Sequence, residues 1–139
     1  MDLQKANMWK RIAAWLLDLM LTCVVAVGVM SVLSAVLDYD SHNNALQAAY
    51  DRYETQYGVE FNLTQEEYQV MTEQDLEPYR QAYEALVADD TVLYEYNMVI
   101  NLSLVITTVG ILLGMLCTEF AVPLFLKNGQ TLGKRAFGI

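Results

Sequence analysis

The chain is poor in the residues that most metal and redox chemistry uses. It has one histidine, His42, and two cysteines, Cys23 and Cys117, in 139 residues. No His/Cys spacing fits a structural metal site, and residues 38–97 hold no cysteine for a disulfide framework. Positive charge is also scarce, with 8 Lys+Arg against 17 Asp+Glu and a net charge of −9. Such an acid excess repels phosphate and excludes a nucleic-acid binder. No Ser-His-Asp set and no GxGxxG loop is present, and the 129–134 stretch lacks the full GxxxxGK[ST] spacing of a phosphate loop. The expectation is therefore a non-enzyme without a cofactor or resident metal.

What is present is unevenly placed. Residues 38–97 carry 14 of the 17 acids and only Arg52 and Arg80 of the bases. Two apolar runs flank this block, residues 12–37 with Asp18 as the only charge and residues 98–126 with Glu119 as the only charge. About 20 apolar residues in a helix cross a ~30 Å hydrocarbon core. Both runs exceed that length, and a soluble domain of this size could not bury them. The first run is longer than a signal-peptide apolar region of ~7–15 residues, and Asp18 interrupts it. The fold expected is an all-α membrane protein: a two-span transmembrane helical hairpin with an acidic extracytoplasmic helical insertion. Its parts are residues 1–37, the acidic insertion 38–97, the second span 98–126 and a basic segment 127–139.

Orientation follows from the bases. Lys5, Lys10 and Arg11 precede the first run, and Lys127, Lys134 and Arg135 follow the second. The positive-inside rule puts both ends in the cytoplasm and residues 38–97 outside, with a bacterial cell membrane as the expected location. All nine tyrosines fall between Tyr39 and Tyr96, where an outer aromatic belt belongs, and Trp9 and Trp15 mark the inner interface. Lys127, Lys134 and Arg135 are the residues expected to lie on anionic headgroups, at about 1 kcal/mol each.

The acidic block reads as folded. It has one glycine, Gly58, and one proline, Pro78. Leu46, Tyr50, Tyr53 and Tyr57 share one helical face, with Gly58 as the stop. Thr64 and Glu67 fit a capping box that starts a second helix. Pro78 predicts the first turn of a third, capped by Asp75, with Tyr79, Tyr83 and Leu86 as its apolar stripe. Asp89, Asp90 and Thr91 mark a break or kink before the second span, the alternative being a helix that runs through. Asn62, Leu63 and Thr64 also fit a glycosylation sequon.

A charge at mid-depth in a span costs on the order of 2.5–3.5 kcal/mol. Asp18 and Glu119 stand at similar depth in the expected hairpin, toward its cytoplasmic side. Arg11 and Asp18 are two helical turns apart and share a face. One reading is a polar cluster that fixes helix packing. The other is a pair of ion- or proton-binding carboxylates, Asp18 and Glu119, tuned by Arg11, that trades H+ for a metal cation, since burial and mutual repulsion favour carboxyl protonation in general. Gly110 and Gly114 form a GxxxG that permits close helix approach.

Lys10-Arg11-Ile12-Ala13-Ala14-Trp15-Leu16-Leu17-Asp18 resembles the opening of RDD family membrane proteins. Gly129-Gln130-Thr131-Leu132-Gly133-Lys134-Arg135-Ala136-Phe137-Gly138-Ile139 resembles that family's segment after the second span. The resemblance covers residues 1–37 and 98–139. It implies a membrane protein, with ligand transport or cation/proton antiport associated with some members. Arg11 and Asp18 match the arginine and first aspartate of the family's name. The second aspartate and a third apolar segment are expected beyond Ile139, so the chain looks like the front part of a longer protein. The resulting expectation is an RDD-like membrane protein exchanging Na+ or K+ for H+. Its partners are the lipid bilayer and either a homo-oligomer or another membrane subunit, because two spans do not enclose a pathway. The alternative is a non-transporting membrane assembly protein whose acidic block binds a partner.

Overall fold

The computed structural model describes residues 7–126 and 129–138, and all regular structure among them is helical. The chain divides into two units, one of Met1–Leu37 with Leu104–Ile139 and one of Asp38–Ser103.

In the first unit, α1 (Met8–Val36) is a single 29-residue helix, about 44 Å long at 1.5 Å per residue. It contains no proline, and its apolar residues run all the way round. Only Ala14 and Ala26 are buried. The second apolar run is carried by α5 (Asp90–Leu116), a π-helical turn (Cys117–Ala121) and α6 (Val122–Phe125). Pro123 explains the change of winding. In a continuous α-helix its missing N–H would leave the Glu119 carbonyl without a donor. Wider winding begins just before it, and the Val122 amide bonds the Cys117 carbonyl, five residues back. A short α7 (Leu132–Ala136) follows.

These two helical runs are long and apolar enough to cross a membrane. A core helix of a soluble protein passes the same length test but would be mostly buried. Here 6% of the apolar window in Met8–Val36 and 22% of that in Asp90–Phe125 are buried. Trp15, Met20, Val24, Leu124 and Phe125 stand exposed. An apolar surface of this extent suits lipid and not water.

In the second unit, α2 (Tyr39–Tyr57), α3 (Gln65–Val70), α4 (Glu73–Ala88) and the start of α5 pack on a small core of Leu46, Leu86 and Val92. Asp38 takes the left-handed conformation (φ 55°), which Asp tolerates, and turns the chain into α2. The Leu46 face of α2 is inward as expected, and Gly58 (φ 65°) ends the helix. The capping box at α3 is present: Thr64 Oγ1 accepts from the Glu67 amide, and the Thr64 amide donates to Glu67 at 2.8 Å. Phe61 folds back so that its ring meets Tyr50 at 6.1 Å and Tyr79 at 5.9 Å, and its amide donates to Glu54. Burial, chiefly, pushes the Tyr50 phenol above its ordinary range.

Two expectations in this unit are corrected. α4 begins at Glu73 with Thr72 as its N-cap, so Pro78 lies inside the helix. Asp75 is not the cap but accepts from the Thr72 hydroxyl at 2.6 Å. The inward face of α4 is Tyr79, Ala82 and Leu86, whereas Tyr83 is 53% exposed. Small Ala82, fully buried, lets the helix sit close, and a tyrosine there would not fit.

The break at Asp89 is real and is held by four donors. Asp89 accepts from Tyr53 (2.9 Å), Arg52 (3.1 Å) and the amides of Thr91 (2.9 Å) and Val92 (3.4 Å). The Tyr53 hydrogen bond, with the two amides and the Arg52 charge, holds the Asp89 carboxyl below its ordinary range, against a smaller opposing effect of burial. The same bond raises the Tyr53 phenol. A depressed carboxyl stabilises the fold above its unfolded pKa and loses that contribution as pH falls through the folded value. A raised phenol stabilises below its unfolded pKa and loses that as pH rises through the folded one. Helicity of the second unit should therefore fall below the ordinary carboxylate range and again above pH ~10. Asp89→Asn should flatten the acid limb in circular dichroism of the detergent-solubilised chain. An unchanged acid limb would remove Asp89 from its cause.

Candidate functional site

Every fourth residue of α1 from Ala14 to Met30 lies on one stripe: Ala14, Asp18, Thr22, Ala26 and Met30. Each of them meets a neighbour within the first unit. A Cβ on Gly110 would meet Met30, and one on Gly114 would meet Ala26. Thr22 Oγ1 lies 2.7 Å from Thr118 Oγ1. Partner numbers fall as α1 numbers rise, the order of antiparallel packing. Small residues and hydroxyls at these levels let the two backbones approach. One of these two hydroxyls donates to the other, which in turn donates back to the carbonyl four residues before it, Asp18 or Gly114, and no buried side-chain nitrogen or oxygen is unsatisfied among the described residues.

The stripe ends in a junction built on Asp18. One carboxylate oxygen, Oδ2, accepts from the Thr131 hydroxyl at 2.6 Å. The other, Oδ1, accepts from the Gly133 amide at 2.7 Å. Thr131 is buried and is itself the N-cap of α7, its hydroxyl facing the Lys134 amide. The first amides of a helix have no intrahelical partner. Thr131 answers one of them from within the segment, and Asp18 answers another from 115 residues away. Gly133 is required by space. A Cβ there would run into the Ala14 carbonyl oxygen and lie 2.8 Å from the Asp18 carboxylate. The 129–138 segment is thus seated on α1 through one carboxylate, one hydroxyl and one bare amide.

The other expected site residues stand elsewhere. Glu119 is exposed on the π-helical turn and makes no hydrogen bond or ion pair among the described residues. Arg11 is exposed at the start of α1 and likewise has no partner among them. Asp18 is therefore joined to Thr131 and Gly133 and makes no hydrogen bond or ion pair with Glu119 or Arg11. Lys134 and Arg135 are exposed on α7. Lys5, Lys127, Asn128 and Ile139 lie outside the described residues. No group of three or more His, Cys, Asp or Glu residues that could hold a metal occurs among the described residues.

Thr22, Thr118, Thr131 and Gly133 were not singled out as functional by sequence reasoning. The signal for the two span threonines was their spacing: Thr22 four residues after Asp18, and Thr118 four after Gly114. No curated protein and no solved structure matches the chain. A family model does match, over residues 5–139, a run that takes in the acidic block as well as both apolar helices and the Asp18 junction. The chain therefore belongs to the RDD family, a family of membrane-type proteins.

Proposed function

We propose that this RDD family chain is an integral membrane protein that exchanges a small cation, Na+ or K+, for protons at Asp18. Its two apolar helices cross the bilayer as a hairpin, with residues 38–97 outside and the basic 129–138 segment at the cytoplasmic face. The observation that carries this reading is a half-buried carboxylate, within an apolar helix, that has no cationic partner among the described residues. In hydrocarbon such a charge calls for a proton or a cation. The hydroxyl and amide that hold Asp18 are neutral donors, so its negative charge remains available to either. Hard alkali cations take oxygen ligands, and the Thr131 hydroxyl offers one beside the carboxylate. Glu119, on the π-helical turn, is the second carboxylate of the proposal. A homo-oligomer completes the pathway that two helices cannot enclose.

Asp18→Asn tests this reading in vesicles carrying the whole protein. Asparagine keeps an acceptor for Gly133 but carries no charge. Exchange should be abolished while membrane insertion is retained. Unchanged exchange would end the role of Asp18. The second reading, a non-transporting assembly protein, is favoured by the tight seat of Gly133 on Ala14, which is packing and not transport. Under that reading wild-type vesicles show no exchange, and deletion of residues 41–93 removes capture of a partner by the acidic block.

A further inference from the structure

One feature of the second unit is independent of the Asp18 junction. A cavity of about 650 Å³ opens between α3 and α4, within the size range of small-molecule sites. Three tyrosines line it, Tyr68, Tyr79 and Tyr83, together with Glu73, Glu77 and Arg80. Tyr79 is engaged edge to face by both Tyr68, at 5.7 Å, and Phe61, at 5.9 Å, whereas Tyr68 and Tyr83 are about half exposed and offer their rings to the cavity. Arg80 is paired to Glu77, and Gln81 donates to the other Glu77 oxygen at 3.0 Å. Glu73 has no hydrogen bond or ion pair among the described residues.

The same unit already shows what such a set of groups holds. At the Asp89 break, the Arg52 guanidinium lies 5.1 Å from the centre of the Tyr53 ring, with the Asp89 carboxylate at 3.1 Å. A tyrosine face and a carboxylate there share one cation of the chain itself. The cavity presents the same two groups, tyrosine faces and the Glu73 carboxylate, with Arg80 already committed to Glu77. Around it lies a block with 14 acids and two bases, whose field concentrates cations. We propose that this cavity binds a small organic cation, an alkylammonium or quaternary ammonium compound, with its charged head over the tyrosine faces and Glu73 as its counter-charge.

The probe is choline, titrated at constant ionic strength into the whole chain in a detergent without a choline headgroup. Tyrosine ring signals are followed by nuclear magnetic resonance. Saturable shifts should appear at Tyr68, Tyr79 and Tyr83, with half-saturation on the order of millimolar. The neutral tert-butyl isostere of choline, of the same shape, should leave them unmoved. Glu73→Gln should weaken choline about two- to fivefold, the range of an exposed ion pair. Tyr68→Leu, at a half-exposed position on α3, should abolish saturation, with the Tyr50 and Phe61 signals reporting that the core is intact. Equal response to the isostere would overturn the proposal, because the cavity would then be merely apolar. Unsaturable shifts spread over all nine tyrosines would overturn it as diffuse attraction to the acidic block.

Discussion

Gly133→Ala should release the 129–138 segment from α1. The added methyl meets the Ala14 carbonyl, a backbone atom inside a continuous helix, and the Asp18 carboxylate. Neither can move aside cheaply: the carbonyl belongs to the α1 ladder, and the carboxylate is pinned by Thr131. Overpacking of this kind costs about 1–3 kcal/mol. Separation also breaks the Gly133 amide bond to Asp18, a hydrogen bond to a charged group worth about 1.5–3 kcal/mol. That bond is lost on separation in the parent chain too, so the overpacking alone sets the change, and the seated-to-released ratio should fall about 5- to 150-fold. Lys134 and Arg135 place a trypsin site inside the segment, so cleavage of the solubilised chain should accelerate accordingly. Gly138→Ala is the control. It sits at φ 65° with no atom within 4 Å, so it carries local backbone strain and no collision with α1. Thr131→Val should release the segment by removing one donor, and Thr131→Ser should not. Equal cleavage of Gly133→Ala and the parent chain would mean that the segment is not seated on α1.

How far this junction could be read in advance depended on the distance over which each signal acts. The capping box at Thr64 and Glu67 and the Gly58 stop were legible because their chemistry closes within four residues. The long apolar helices were legible because composition alone decides them. Pro78 misled because the preference of proline for the first helical turn is statistical, while the N-cap of α4 was set by Thr72 and its hydrogen bond to Asp75. Tyr83 misled because helical spacing does not say whether the stripe is centred on Ala82 or one residue beyond it. Asp18 was marked by its cost in an apolar helix, and the 129–138 segment was marked by resemblance. Nothing local joined the two, because the partners are 113 and 115 residues apart. Depth alone suggested Glu119 as the neighbour. What depth could not supply was the direction in which each side chain leaves its helix: Thr118, one residue before Glu119, is the one that meets α1, and Glu119 is exposed.

The three glycines of the apolar helices should respond to alanine in an order that tests the antiparallel packing of α1. Gly28 has no atom within 4 Å of an added Cβ. Its replacement should leave stability unchanged or raise it by up to about 1 kcal/mol, the helix-propensity difference. At Gly110 the obstacle is Met30 Cγ, next to its Cβ, with Met30 Cε at 3.1 Å and the Ala26 carbonyl oxygen at 3.4 Å, so relief requires a new χ1 rotamer of that methionine. That variant should fall between the other two, with a loss of about 0.5–1.5 kcal/mol. At Gly114 the new Cβ lies 2.9 Å from Ala26 Cβ, 3.1 Å from its Cα and 3.2 Å from its amide nitrogen. Two of those three atoms are backbone, so only separation of the helices relieves the contact. The loss should be about 1–3 kcal/mol. Because the Thr22–Thr118 contact stands one turn further along the same interface, Gly114→Leu should also break that 2.7 Å hydroxyl pair and lose more. Denaturant titration in mixed micelles, read through Trp9 and Trp15 on α1, measures each. Equal losses at Gly28 and Gly114 would mean that the stripe is not the packed face. The predicted order requires that Ala26, not the larger residues around it, sets how closely the two helices approach.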